Sequence, residues 1–516
     1  MSSTDGSENY SVDVLNQLAA RGDHEAIVHG ERRISGSRVR ETVLRFAAAL
    51  RRAEVGPGTG VALFTVNTPE TVMLKLAVHF LGGRLVFVPP EPGTRELEAY
   101  VRRADVEVLV FDPVFEERTE SLLREAAVRE VFALGPSTVA ADWLSVSANA
   151  TPLGIEDAAD GRLLATMLYT GATTGPPKLV IHGPGYYENV VAVSKVIADT
   201  ESADPRLLLC TSLTHSSGHH AALHALLSRQ PLVLTDGSDV GETLSLMGEQ
   251  KITGMMVTPA TLYEMLDHPD SHGGFPELRT IYYVGAGAAP DRLRAAMDRF
   301  SSRLWQFYAS TECGVIAQLL PHEHEPGRPE LLASCGRPAP GVAVEVRDEY
   351  GDVVRTGQIG EVHVRGSMVM REYWRDPERT AEALKDGWLR TGDLAYRDHD
   401  GYLYLVDRVK DVIVTGRTAD CVYSRLLDDL LISLPAVRDA AALGVPAPEF
   451  GESVHVVVVP YDESDLDTDE LTRQVVDALG SLYAPVSYSV AASLPHTASG
   501  KVDKEALRAS LPPRPE

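Results

Sequence analysis

Over its first 310 residues the chain alternates between two hydrophobic periods, and this alternation limits its possible folds more than any other feature. Short continuous apolar runs read as buried strands: Val61–Val66, Val106–Phe111, Leu163–Tyr169, Leu207–Thr211, Pro231–Leu234, Gly254–Val257 and Thr280–Val284. Between them, Val39–Arg52, Thr71–Leu81, Glu117–Val128 and Arg292–Phe300 repeat apolar residues at helical spacing. A strand that is apolar on both faces needs cover on both, and helices between successive strands supply it. The expected class is α/β, with parallel helix-covered sheets in a large N-terminal domain.

The pattern changes twice further on. From Gly341, the segments VAVEVRD, EVHVRG and GYLYLVDR read as short antiparallel strands with Gly and Asp turns, a small β-barrel-like part. Beyond Lys410, Tyr423–Ser433, Ser453–Val459, Thr468–Leu479 and Lys504–Ser510 form a smaller strand-and-helix series. A boundary is expected at Asp407–Asp411, dividing the chain into 1–408 and a small mobile α+β domain, 409–516. A chain of 516 residues is too long for one ordinary core and suits roughly two to four.

Composition excludes some partners. The net charge of −25 argues against nucleic acid and anionic membranes, which need a cationic face. Cys210, Cys313, Cys335 and Cys421 lie at neither metal-ligand nor disulfide-framework spacing, which suits a reducing interior. The N-terminus MSSTDGSENY is no signal peptide. The longest apolar stretch, around Leu74 to Pro89, is broken by His79, Arg84 and two glycines and cannot span a bilayer. The expected location is the cytoplasm.

Several short segments carry chemistry. Tyr169-Thr-Gly-Ala-Thr-Thr-Gly-Pro-Pro-Lys178 follows an apolar strand; its small and hydroxyl residues let backbone N–H groups close on phosphate oxygens, and Lys178 adds a charge. It is not a Walker A loop, because Leu179 follows the lysine. In Tyr308-Ala-Ser-Thr-Glu312 an aromatic can stack on a base and a carboxylate can hold magnesium between phosphates, although alone the segment could be a capped helix start. Asp393, after Thr391-Gly392, suits a ribose diol but could be a plain turn. Asp407-Arg-Val-Lys-Asp411 alone would be a solvated charge cluster, and Leu494-Pro-His-Thr-Ala-Ser-Gly-Lys501 ends in a Gly-Lys pair.

Together and in this order, these segments resemble the adenylate-forming enzyme superfamily of acyl-CoA synthetases, nonribosomal peptide adenylation domains and luciferases. Cys335-Gly-Arg-Pro338, Gly360-Glu-Val-His-Val-Arg-Gly366 and Gly387-Trp-Leu-Arg-Thr-Gly-Asp393 extend the resemblance over nearly the whole chain. The resemblance implies ATP and Mg2+ as cofactors and a carboxylic acid as substrate. Thr170, Gly171, Ala172, Thr173, Thr174, Gly175 and Lys178 would form the phosphate loop. Gly285, Ala286, Gly287 and Ala288 would lie along adenine, with Tyr308 stacked on it beside Ala309 and Ser310. Thr311 would touch the α-phosphate, Glu312 would bind magnesium, and Asp393 would hold the ribose with Arg408 beside it. Lys410 matches the hinge, and Lys501 the lysine that reaches the carboxylate and α-phosphate. His215 resembles the gating histidine of an acid pocket lined by Gly218, Val284, Gly285 and Gly314; otherwise it is a capping or core histidine.

Catalysis in this family follows from charge. A carboxylate attacking an anionic phosphate needs cations and N–H donors where negative charge builds up, and the acyl-AMP needs shielding from water by domain closure. The sequence departs from the family pattern in the phosphate loop, where Gly171 and Ala172 replace Ser and Gly. It departs further after the hinge, where Arg417 in Thr415-Gly-Arg-Thr-Ala-Asp-Cys-Val-Tyr-Ser424 replaces a glycine of the pantetheine channel, and where Tyr483-Ala-Pro485 lacks the usual lysine. Residues 502–516 hold no carrier domain, so a stand-alone ligase is expected. Its acceptor is coenzyme A, a separate carrier protein or a small amine, with a thiol favoured on family frequency. Small residues in 215–220, 284–287 and 309–314 leave room for an aryl or branched acid. A non-catalytic nucleotide-binding regulator on this fold is the remaining alternative, opposed by the retained Lys501 and Glu312.

Overall fold

The apolar runs become strands of two large sheets in a computed structural model that describes residues 9–88, 94–124, 126–170, 178–198, 205–324, 327–415, 420–447, 451–462, 466–496 and 501–511. In the first sheet Leu207–Leu209, Gly254–Val257, Thr280–Val284 and Arg303–Ser310 lie side by side and parallel, and Gly314–Leu319 turns back antiparallel on the last. In the second, Val108–Phe111, Gly60–Phe64, Arg84–Phe87 and Ala165–Thr170 are parallel, and Lys178–His182 turns back on Ala165–Thr170. These central strands are buried on both faces, as a parallel sheet under helices requires.

Local chemistry moves some boundaries from their expected places. The helix expected at Thr71–Leu81 is Pro69–Phe80, because the Thr68 hydroxyl accepts from the Thr71 N–H and proline fits the first turn. The strand expected from Leu163 begins at Ala165. Asp160 accepts from the Arg162 N–H and caps a short turn over Gly161–Leu163, which leaves Leu163 exposed. The helix expected to reach Val128 ends at Leu123. The helix Tyr10–Arg21 and strands Glu25–His29 and Arg32–Ser35 add to the expected elements, and Glu25–His29 extends the first sheet.

After Gly341 the antiparallel part is present. Ala343–Arg347, Gly360–Arg365 and Trp388–Arg397 pair in turn, with Leu384–Lys385 and Leu403–Arg408 both on Trp388–Arg397. A fourth sheet orders Asp420–Val422, Ile413–Thr415, Gly451–Pro460 and Val437–Ala447, and Ser487–Val490 also pairs with Gly451–Pro460. It has its own core, in which Ile413, Val422, Leu427, Leu431, Val456, Leu471 and Val475 pack together. The chain crosses between the third and fourth sheets through a tight turn, where the Arg408 carbonyl accepts from the N–H groups of Asp411 (2.9 Å) and Val412 (3.2 Å). No helix among the described residues is long and apolar enough to cross a membrane.

Candidate active site

Three motif segments follow the carboxyl ends of the strands Ala165–Thr170, Thr280–Val284 and Arg303–Ser310, the usual place for ligands in α/β sheets. Thr170 and Lys178 are cross-strand partners at the mouth of the hairpin whose loop is 171–177; Gly171, Ala172, Thr173, Thr174 and Gly175 lie outside the described residues. The Lys178 ammonium sits 4.8 Å from the centroid of the Tyr373 ring and 3.5 Å from its hydroxyl. That hydroxyl donates to Glu312 Oε1 at 2.9 Å, so Tyr373 links Lys178 to Glu312. Burial and the Glu312 carboxylate both raise the Tyr373 phenol pKa, keeping it a donor.

Tyr308 ends the regular part of the strand Arg303–Ser310. The register against Gly314–Leu319 shifts between Tyr308 and Ala309, and such a bulge re-aims the side chains that follow. The Tyr308 hydroxyl donates to Asp393 Oδ2 (2.6 Å), and Arg408 Nε donates to Asp393 Oδ1 (2.8 Å). Thr311 and Glu312 occupy the next turn. That turn is held by a hydrogen bond between His182 Nε2 and the Thr311 carbonyl (2.7 Å) and by the Met370 N–H donating to the Glu312 carbonyl (2.7 Å). Buried Ser310 Oγ has no hydrogen-bond partner among the described residues.

Gly285, Ala286, Gly287 and Ala288 follow the strand Thr280–Val284. A Cβ at Gly287 would collide with the Arg425 guanidinium, so any larger residue there would have to displace the arginine. Arg425 comes from the helix Ser424–Ile432, which packs on the fourth sheet, and it feels Asp393 as well as its own Asp429. Gly314 has φ +69° and lies against Met368 and Tyr186.

Lys501 follows the segment 497–500, which lies outside the described residues, and it precedes the helix Lys504–Ser510. Burial lowers its pKa, and Arg408 adds to this, while Asp393 and Glu312 oppose the shift. His215 stands at the start of the helix Ser216–Leu227 without capping it. Its Nε2 shares a hydrogen bond with the Tyr169 hydroxyl at 3.2 Å. Burial, Lys501 and Lys75 hold its pKa down to about 4, so the imidazole is neutral at pH 7. Lys75 is buried, donates to the Leu213 carbonyl and lies 4.2 Å from the Phe87 ring centroid.

Comparison with known proteins identifies the family. The profile of AMP-binding enzymes covers residues 14–374, and that of the AMP-binding enzyme C-terminal domain covers 427–501. The chain belongs to the AMP-binding enzyme family. This AMP-binding enzyme is similar to the medium/long-chain-fatty-acid–CoA ligase FadD8 of Mycobacterium tuberculosis, at 34% identity over 93% of this chain and 86% of the relative. It is similar to a feruloyl-CoA synthase of Amycolatopsis, at 31% identity over 94% of this chain and 95% of the relative. Among solved structures it is similar to the amide bond synthetase McbA of Marinactinospora thermotolerans, with TM-score 0.87, 34% identity, and coverage of 97% of this chain and 99% of that one.

In this AMP-binding enzyme the motif residues Lys178, Tyr308, Glu312, Asp393, Arg408, Lys501 and His215 share one electrostatic neighbourhood. Lys410 lies exposed in the turn after Arg408. Tyr373, His182 and Arg425 join the site without having been singled out in the sequence, and Tyr169, which opens the phosphate-loop segment, joins it in a role the sequence did not suggest. Lys75, a lysine within an apolar helix, and His79, within an apolar run, are polar residues that turn out fully buried, and that is the sequence signal they offered.

Proposed function

We propose that this protein activates an organic acid as its acyl-AMP and passes the acyl group to an acceptor. One observation carries this reading: Lys501, from beyond the turn at Lys410, lies in the field of Asp393, Glu312 and Arg408, which belong to the other sheets. In the activating step a carboxylate oxygen attacks the α-phosphorus, the bond to the β-phosphate breaks, and pyrophosphate leaves. Thr170 and Lys178, with the loop between them, would hold the β- and γ-phosphates. Tyr308 would stack on adenine along Gly285, Ala286, Gly287 and Ala288, next to Ala309 and Ser310. Asp393, braced by Tyr308 and Arg408, would take the ribose hydroxyls. Thr311 and Lys501 would meet charge at the α-phosphate.

No group of three or more His, Cys, Asp or Glu among the described residues could hold a metal. A single carboxylate, Glu312, fits magnesium that takes its other ligands from phosphates and water. Bound there, the ion would neutralise phosphate charge. The domain division 1–408 and 409–516, with Lys410 as hinge, gives closure over the adenylate. His215, Gly218, Val284, Gly285 and Gly314 would line the pocket for an aryl or branched acid; the space beside Gly218 is taken by the Ser212 carbonyl and that beside Gly314 by Met368, so neither glycine opens room by itself. The free cysteines fit a reducing cytoplasm.

For the acceptor we favour a thiol, coenzyme A or a carrier protein, in keeping with the coenzyme A ligases similar along nearly the whole chain. One observation favours an amine instead. His215 Nε2 is bonded to the Tyr169 hydroxyl at 3.2 Å, and this pair is a place where the proton of an amine could be received as it attacks the acyl carbon and AMP leaves. Arg417, in the channel loop, lies outside the described residues. Supplying ATP, magnesium and a competent acid with either coenzyme A or a mixture of simple amines separates the two. Acyl-CoA without amide sinks the amine reading, and amide without acyl-CoA sinks the thiol reading.

A further inference from the structure

Asp407 and Ser424 meet across the turn where the chain leaves the third sheet. Asp407 lies in the strand Leu403–Arg408, just before that turn, and Ser424 opens the helix Ser424–Ile432 well after it. Both are buried. The Ser424 N–H donates to Asp407 Oδ2, and the Ser424 hydroxyl donates to Oδ1 at 3.3 Å. The carboxylate also takes the Arg408 N–H at 2.7 Å. A buried carboxylate is tolerated where donors surround it, and here two of its donors come from the far side of the turn.

The connection runs on to the segment that carries Lys501. Lys504 Nζ donates to Ser424 Oγ at 2.7 Å and to Asp428 Oδ2 at 2.8 Å. Lys504 opens the helix Lys504–Ser510, three residues after Lys501. The residues between are fixed as well: Val502 pairs with His496, and the Asp503 N–H donates to the Pro495 carbonyl at 2.8 Å. Asp428 accepts from the Ala442 N–H, which ties the same group to the fourth sheet. The order is therefore Asp407, Ser424, Lys504 and then the Lys501 segment.

We propose that Asp407 is a positioning residue for the adenylating step, holding the C-terminal piece through Ser424 and Lys504 in the orientation that brings Lys501 to the nucleotide site. This rests on the adenylation reading and on Lys410 as hinge. Asp407 stands before Lys410, and Ser424 and Lys504 stand after it. A turn about Lys410 carries Ser424 away from the carboxylate, so these bonds favour the orientation seen here over any other. They must break before the piece turns for acyl transfer. Asp407 thus promotes the first half-reaction and not the second.

The test separates the two half-reactions: acid-dependent ATP–pyrophosphate exchange, and transfer from added acyl-AMP to whichever acceptor the wild type uses. Asp407→Ala should slow exchange by about tenfold, because the orientation that seats Lys501 becomes a minority state. Its transfer rate should match or exceed that of the wild type. The KM for ATP should stay near the wild-type value, since Arg408 keeps its bond to Asp393. Ser424→Pro removes both donors to Asp407. Proline suits this first helical position, and the extended backbone of Tyr423 suits a residue before proline. It should slow exchange as Asp407→Ala does, and the double variant should be no slower than either alone, because one set of bonds is lost in all three.

Wild-type exchange in either variant, equal losses of exchange and transfer, or a loss carried by the KM for ATP alone overturns this proposal and leaves the adenylation reading standing. No exchange by the wild type with any acid, in protein that binds ATP, overturns the adenylation reading and this proposal with it. Melting midpoints check folding. If Asp407→Ala does not fold, the ratio of exchange to transfer in Ser424→Pro decides.

Discussion

The Tyr308 hydroxyl donates to one oxygen of the Asp393 carboxylate at 2.6 Å, tying a strand of the first sheet to a strand of the third. Arg408, the last residue before the chain crosses to the fourth sheet, holds the other oxygen at 2.8 Å. A carboxylate fixed from both sides is ready for a ribose diol. Asp393→Asn keeps the shape but offers Arg408 a neutral acceptor. Hydrogen bonds to charged groups contribute about 1.5–3 kcal/mol, so kcat/KM for ATP should fall roughly 10- to 100-fold. Pyrophosphate release against ATP concentration measures it, and an unchanged value removes Asp393 from the nucleotide site.

Gly287 and Arg425 meet across the junction between the first sheet and the C-terminal piece. Gly287→Ala should displace the guanidinium and lower adenylation by about tenfold or more, by loosening the seat of the piece that carries Lys501. Arg425→Ala in the Gly287→Ala background should recover part of that loss, since the two changes are in contact and should not add. Strictly additive losses would mean that the two residues act separately.

Tyr373 bridges Lys178 and Glu312. Glu312→Gln should raise the magnesium concentration needed for half-maximal rate, because an amide is a poorer ligand for a hard cation. Tyr373→Phe should raise it less, since the carboxylate remains and only its brace is lost. A magnesium titration of both variants checks the order; the reverse order would place the ion elsewhere.

Burial lowers the pKa of His182, His215 and His324 to about 4, and of His79 and His220 to about 3. Below the unfolded pKa of 6.5 the unfolded chain binds protons that the folded chain refuses. Stability therefore falls as pH drops through the window from 6.5 towards 4, and is untouched by these groups above about 7. One histidine lowered to about 4 costs about 2 kcal/mol at pH 5. The melting midpoint at pH 5 should lie at least about 5 °C below that at pH 7.5. An equal or higher midpoint would mean that these rings are protonated in the folded protein.

The strands were legible because burial on both faces writes continuous apolar runs: Gly254–Val257 and Thr280–Val284 match their expected limits. So do the helices Thr468–Leu479 and Lys504–Ser510. Strand order was not legible, since neighbours such as Glu25–His29 and Leu232–Leu234 are far apart in sequence and no local pattern names the partner. In the site, Lys178, Glu312, Asp393 and Lys501 could be singled out because each belongs to a short run whose residue types fit phosphate, metal or ribose. Tyr373 could not, since it reaches Glu312 from 61 residues away by strand pairing. Arg425 could not, because what it does depends on where the C-terminal piece docks. His79 was noticed only as a break in an apolar stretch, and the fold shows the reason: it is a buried link between Tyr10 and Thr166.

The central claim is that Lys501 enters the site to promote attack of a carboxylate on ATP. The most direct measurement is pyrophosphate release and acyl-AMP formation, followed by mass, with magnesium-ATP and a panel of aryl, alkyl and hydroxylated acids, for the wild type and for Lys501→Ala. The wild type should release pyrophosphate with at least one acid and form the matching acyl-AMP. Lys501→Ala should be slower by about 10²- to 10³-fold with its folding intact. Wild-type rates in Lys501→Ala, or silence of the wild type across the panel while it still binds ATP, would contradict the claim.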